Sequence, residues 1–393
     1  MQRTLAAALA GALLLMAPSC ARRGISTEGD ICQYARDVLA DTSARAFHLL
    51  RDFDPKDPEG SIAIVGEPGE VMAITEYMLS CDRYSNISGA TTPDGLPDFS
   101  GETLSPVLDI ANSPYSKLCQ GEDGLPLREV AVRNFLSCLD TVCYMTILDT
   151  VPTVPRQKAK MVVLSCSYTA AFGLSDIDTL RSLSGSDIPI VSAPNAMVRY
   201  SCAHAGNKDV NIGVWASKEI LLSGVYASVF TRESERRGLG KIPYEVFSAD
   251  SASDVKGRFT EFLHRYSLSG NTAKLTSLII DDPSVPLSEL EEVVDRMRTS
   301  DDDRDIAYSS MLSDDFVCVD PSTAIAWSCF RQMRSANTFT HAVAYPDMKG
   351  YATAKREDGE SYVMVELLDR YLPSSLALEM EEKAPNMFSL YVR

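Results

Sequence analysis

The sequence predicts an α/β fold with parallel sheets. Two observations carry this. Apolar runs of strand length recur along the chain, as in SIAIV (Ser61 to Val65), MVVL (Met161 to Leu164) and LTSLII (Leu275 to Ile280). Between them lie stretches with helical periodicity, the alternation expected when strands are buried on both faces by crossover helices. In such sheets ligands bind beyond the carboxyl ends of strands. The residues that follow each run are therefore the ones to inspect.

The elements follow in order. Residues 21–59 read as a linker and one helix, Ile31 to Leu50, closed by the turn-rich DFDPKDPEG. SIAIV is a buried strand that opens through Gly66-Glu67-Pro68-Gly69 into a helix reaching Met78. Residues 85–105, rich in Gly, Pro, Thr and Asp, read as a long loop. Pro126 to Leu148 has helical periodicity. MVVL runs straight into Ser165-Cys166-Ser167. Ile188 to Val191, Asn211 to Trp215, LTSLII and Phe316 to Val319 supply the remaining strands of this type. Within residues 335–393, Ala352 to Arg356 and Ser361 to Glu366 flank Glu357-Asp358-Gly359-Glu360 as a hairpin. Asp301-Asp302-Asp303 lacks the glycine and spacing of a calcium loop and reads as solvated.

Composition narrows function. The chain has 393 residues, 45% hydrophobic, and a net charge of -17 from 37 Lys+Arg against 54 Asp+Glu. That surface repels phosphate backbones and excludes nucleic acid as a partner. The 4 His include no pair at metal-ligand spacing, and no CxxC occurs, so neither a multi-His site nor a zinc ribbon is expected. No cofactor is implied. Residues 1–20, MQRTLAAALAGALLLMAPSC, have a charged start, an apolar stretch too short to span a bilayer and small residues before Cys20. This resembles a lipoprotein signal. It predicts an exported, envelope-located chain held to a membrane only through lipid on Cys20. Simple secretion, with Cys20 a bystander, is the alternative. Of the 10 Cys, 9 remain beyond Cys20, so at least one thiol stays free unless paired between molecules. Cys138 and Cys143, in an apolar pattern, read as buried thiols.

Cys166 is the foremost chemical candidate. It follows a buried strand and precedes small residues, where a helix N-terminus would lower its pKa. A structural free thiol is the plain alternative. The order of segments around it resembles the aspartate/glutamate racemase family, glutamate racemases above all. That family reads A-C-N-T-A-S where this chain has Ser165-Cys166-Ser167-Tyr168-Thr169-Ala170. Its D-I-P-V-I-G-V compares with Asp187-Ile188-Pro189-Ile190-Val191-Ser192-Ala193. Ile212-Gly213-Val214 and Leu222-Ser223-Gly224-Val225-Tyr226 match a further motif. So do Leu108-Asp109-Ile110-Ala111-Asn112-Ser113-Pro114-Tyr115-Ser116 and Val319-Asp320-Pro321-Ser322-Thr323-Ala324-Ile325-Ala326. Together they span about residues 61–334.

The resemblance implies two pseudo-symmetric three-layer α/β half-domains, their parallel sheets facing a central crevice. One would hold residues 60–175 and 275–334, the other 176–274, with 335–393 as a C-terminal appendage. It implies Cys166 as one catalytic group. The family's second cysteine, in L-G-C-T-H-Y-P-L, falls on Ile280-Asp281-Asp282-Pro283-Ser284-Val285-Pro286-Leu287, so Asp282 replaces it and Ser284 replaces the histidine. Glu67, offset by one residue, stands for the family's first-loop aspartate. Glu67, Pro114, Tyr115, Ser167, Tyr168 and Ser284 are the expected substrate-binding residues. Racemisation removes a proton on one face of a carbon and returns one on the other, and so needs two acid/base groups. With one thiol replaced, three readings stay open. One is a silent descendant that binds a small amino acid or dicarboxylate. The others are a Cys/Asp isomerase or lyase acting at the α-carbon, and a structural lipoprotein with a vestigial crevice. The expected partners are that small ligand, the membrane through its anchor alone, and a second copy of the chain.

Overall fold

The computed structural model describes residues 31–206, 210–248 and 254–392. The signal and the lipidation expected at Cys20 lie outside the described residues. Among these, no helix is long and apolar enough to cross a membrane.

The described chain opens with two helices where one is expected, α1 (Gln33–Ala40) and α2 (Arg45–Arg51). They are separated where the Asp41 carboxylate accepts the Ser43 N–H at 3.0 Å, an Asx turn that competes with the helix. Then come β1 (Ser61–Gly66), α3 (Pro68–Ser80), β2 (Thr103–Leu108), α4 (Tyr115–Leu118) and α5 (Leu125–Leu139). A two-residue ribbon, β3 (Val142–Cys143) and β4 (Val154–Pro155), ends the helical stretch earlier than its periodicity suggests. β5 (Ala159–Leu164), α6 (Ser167–Phe172), α7 (Leu174–Ser184), β6 (Ile190–Ser192) and α8 (Ala193–Ala205) follow. β1, β2, β5 and β6 pair in parallel, and every residue of β1 and β5 is buried.

A second sheet is built from β7 (Ile212–Ala216), α9 (Lys218–Leu222), α10 (Val225–Arg237), β8 (Tyr244–Phe247), α11 (Val255–Leu268) and β9 (Leu275–Asp281). α12 (Leu287–Thr299), α13 (Asp303–Ser309) and β10 (Leu312–Val319) complete it. Its order is β10-β9-β7-β8, all parallel. Counted by appearance, both parallel sheets run two-one-three-four, which is the internal repetition expected. The strand at 275–281 and its neighbour β10 belong to this second sheet, and β6 to the first. The boundaries drawn from the sequence are corrected accordingly, because ladder pairing decides membership. After β10, α14 (Pro321–Ala336) returns to the first half, where it packs on α3 and α8.

Residues 335–393 do not form an appendage. β11 (Asp347–Met348) and β12 (Tyr351–Lys355) pair with β2, and β13 (Tyr362–Glu366) pairs antiparallel with β12, so the expected hairpin extends the first sheet to seven strands. α15 (Ser374–Lys383) and α16 (Pro385–Tyr391) cover α3. The Asp302 carboxylate caps α13, so the acidic run is a helix start. All nine described cysteines are free thiols. Cys138 and Cys143 are buried, at 0% and 2% exposure.

Candidate active site

The site grows from the carboxyl ends of β1, β2 and β5. β1 ends at Gly66, where any side chain would collide: a Cβ there would sit 2.1 Å from Ser165 Oγ. This close approach lets Glu67, the N-cap residue of α3, stand beside Cys166, the N-cap residue of α6. The Cys166 thiol lies 3.7 Å from Glu67 Oε2 and points its proton there. Glu67 Oε1 accepts the Tyr115 N–H at 2.9 Å. Glu70 projects from the first turn of α3, and its carboxylate, Glu67 and the Cys166 sulfur all lie within 4.8 Å of one another.

Beneath this cluster sits Asp109, fully buried just past β2. It accepts the Tyr115 hydroxyl at 2.7 Å, Asn134 Nδ2 at 2.6 Å, Asn112 Nδ2 at 2.8 Å and the Thr353 hydroxyl at 2.5 Å. Thr353 comes from β12, so the C-terminal hairpin is part of the site's support. The Tyr362 hydroxyl of β13 donates to Asn134 Oδ1 at 3.3 Å and extends the same network.

The second sheet meets these loops directly. Ser167 donates to Asp281 Oδ1 at 2.9 Å, and Tyr226 donates to Asp281 Oδ2 at 2.8 Å. Tyr168 Oη and Ser217 Oγ are 3.2 Å apart and share a hydrogen bond across the crevice. Ser217 follows β7 and caps α9, and Asp281 ends β9. The carboxyl ends of both sheets therefore converge on one place.

Electrostatics here is dominated by burial. Desolvation, reinforced by the negative charges of Glu70 and Glu67, pushes the Cys166 thiol well above its ordinary value. The helix N-terminus, expected to lower it, does not win: α6 has only 6 residues, and the sulfur is 0% exposed. Glu67 is raised by burial. Glu70 is raised well above the usual carboxylate range by burial and then by Glu67. Asp281 is pushed up to about 6 by burial, against the downward pull of Ser167 and Tyr226, while Asp282 adds to the rise. The charges acting on Glu67, Glu70 and Asp281 are all carboxylates.

The structure brings Cys166, Glu67, Tyr115, Ser167 and Tyr168 together. Pro114 is exposed and positions Tyr115 as the N-cap residue of α4. Two expectations are corrected. Asp281, not Asp282, reaches the first sheet's loops. Side chains alternate along a strand, so neighbours point apart; the Asp282 carboxylate instead accepts the Ser284 N–H at 2.9 Å in the turn after β9. Ser284 is exposed, and its hydroxyl accepts from Arg258 Nη1 at 3.1 Å, on α11. The sequence reading assigned no role to Glu70, Asp109 or Asn134. Glu70 was detectable as the i+3 partner of Glu67 on one helical face.

Among solved structures, the chain is similar to a glutamate racemase isoform from Bacillus anthracis, at 13% identity and TM-score 0.45, covering 77% of this chain and 92% of that one. It is also similar to the glutamate racemase of Francisella tularensis in complex with D-glutamate, at 12% identity and TM-score 0.41, covering 76% and 90%. A third is the Thermus thermophilus glutamate racemase in complex with beta-chloro-D-alanine, at 14% identity and TM-score 0.42, covering 84% and 96%. No family model matches the sequence, and no curated protein does.

Proposed function

We propose that the crevice between the two sheets binds a small amino acid or dicarboxylate and that two-thiol racemisation is lost. The observation that carries this is the Ser167–Asp281 hydrogen bond, which sets a carboxylate from the second sheet one residue away from Cys166. The Glu67 and Asp281 carboxylates offer acceptors to an α-ammonium group, and the Ser167 and Tyr168 hydroxyls offer donors to a carboxylate. A thiol held protonated is a poor base. The pair is therefore unequal: an acid at Cys166 and, near neutral pH, an ionised Asp281. That inequality also favours a second reading, a one-directional Cys/Asp isomerase or lyase at the α-carbon. Lipid attachment at Cys20 and an envelope location belong to the same proposal, as does self-association.

The test uses the full-length chain with each enantiomer of glutamate and aspartate in heavy water. The expected result is a ligand-induced rise in Tm without deuterium at the α-carbon. Deuterium with inversion supports the isomerase reading and overturns the loss of racemisation. No thermal shift and no exchange with any of the four ligands overturns amino-acid binding.

A further inference from the structure

Three potential ligand atoms converge at the carboxyl end of the first sheet: the Cys166 sulfur, a Glu67 oxygen and a Glu70 oxygen, mutually within 4.8 Å. The thiol has one proton to share between Glu67 Oε2, 3.7 Å away, and the Glu70 carboxylate, so it cannot satisfy both. Glu70 Oε2 is shielded from solvent and has no hydrogen-bond partner. A buried carboxylate oxygen without a donor is costly. It requires either its own proton or a cation. The acidic surroundings sharpen the demand, because the charges acting on Glu67 and Glu70 are other carboxylates.

We propose that Cys166, Glu67 and Glu70 form a three-ligand site for a zinc-type divalent ion, with its fourth position open to the crevice. The inference deepens the amino-acid-binding reading and rests on it for the occupant of that fourth position; in the loaded site Cys166 and Glu67 are metal ligands, and the acid role of Cys166 belongs to the metal-free protein. The geometry suits the ion. Zinc–sulfur and zinc–oxygen bonds of about 2.3 and about 2.0–2.2 Å at a tetrahedral angle separate sulfur and oxygen by about 3.5 Å. The Cys166–Glu67 separation is 3.7 Å. Sulfur with oxygen selects zinc over magnesium or calcium. On binding, the thiol proton and any carboxyl proton leave to solvent, so affinity rises with pH. One divalent ion against one thiolate and two carboxylates leaves a single negative charge. This lessens the repulsion that the bare cluster presents to a carboxylate ligand, and the open position gives that ligand a direct bond.

The experiment strips the full-length chain with a chelator, then titrates it with Co2+ as a spectroscopic stand-in for zinc. One equivalent should bind, with a sulfur-to-cobalt charge-transfer band. Cys166→Ala should abolish the band, and Glu70→Gln should weaken binding at least tenfold. Failure of the chain to bind one equivalent, or a band that persists in Cys166→Ala, overturns the site. Should Cys166→Ala not fold, the isosteric Glu70→Gln decides, and unchanged affinity there overturns it. Amino-acid binding is measured in parallel on stripped and loaded protein. Amino-acid binding without metal binding overturns the metal site alone. Metal binding without an amino-acid response overturns the amino-acid reading alone.

Discussion

The two sheets share a strand order but spend their carboxyl ends differently. The first closes over its site. Asp109, Tyr115, Asn134 and Thr353 lock one another beneath the Cys166 cluster, and a C-terminal hairpin seals that edge. The second stops at four strands, and its share is lighter: Asp281, held by Tyr226 and Ser167, and Ser217, held by Tyr168. Repetition of topology thus does not repeat chemistry. One half supplies a preorganised, buried acid–thiol cluster, and the other supplies the groups that complete the crevice.

Three measurements break or sharpen that contrast. Asp109→Ala should cost the most, about 3–5 kcal/mol in unfolding free energy, since it strands several buried donors at once. A denaturant-measured loss under about 1 kcal/mol would mean the first half is not locked this way. Asp281 is next. Its folded pKa, about 6, lies above the ordinary 3.8, so the fold favours the neutral form. That contribution is full below the ordinary value and is lost as pH rises through about 6. Between pH 4 and 7 the wild type should lose up to about 3 kcal/mol that Asp281→Asn retains. Parallel pH–stability curves for the two proteins would show that Asp281 does not titrate in this window. Tyr168→Phe should have the smallest effect, about 0.5–1.5 kcal/mol, from one part-buried hydrogen bond between the sheets. A larger loss, read in the same unfolding assay, would make the second half more dependent on this bond than the geometry indicates.

Much of this was legible in the sequence, for local reasons. β1, β5, β7 and β9 are fully or nearly fully buried and read as apolar runs. β2 was hidden because Pro106 lies inside it and prolines argue against interior strands. Yet it sits between β1 and the C-terminal strands, with Pro106 opposite Ile64. With β2 unread, Asp109 lost its place beyond a strand end. β8 is a four-residue edge strand with Val246 51% exposed, so no apolar run marks it. Cys166 and Glu67 were found because each follows a recognised strand. Asp281 was displaced by one position because side-chain alternation at a strand's last residue is set by tertiary register, which motif matching does not see. Docking of the hairpin on β2 joins segments more than 240 residues apart, beyond the reach of local pattern.

The hydroxyl of Thr353 reaches Asp109 from 244 residues further along the chain. During synthesis, Cys166 and its carboxylate neighbours leave the ribosome long before the residue that finishes their scaffold. A nascent or truncated chain ending before β12 would carry the reactive groups without their brace. Translation through β12 is thus the step that braces the cluster.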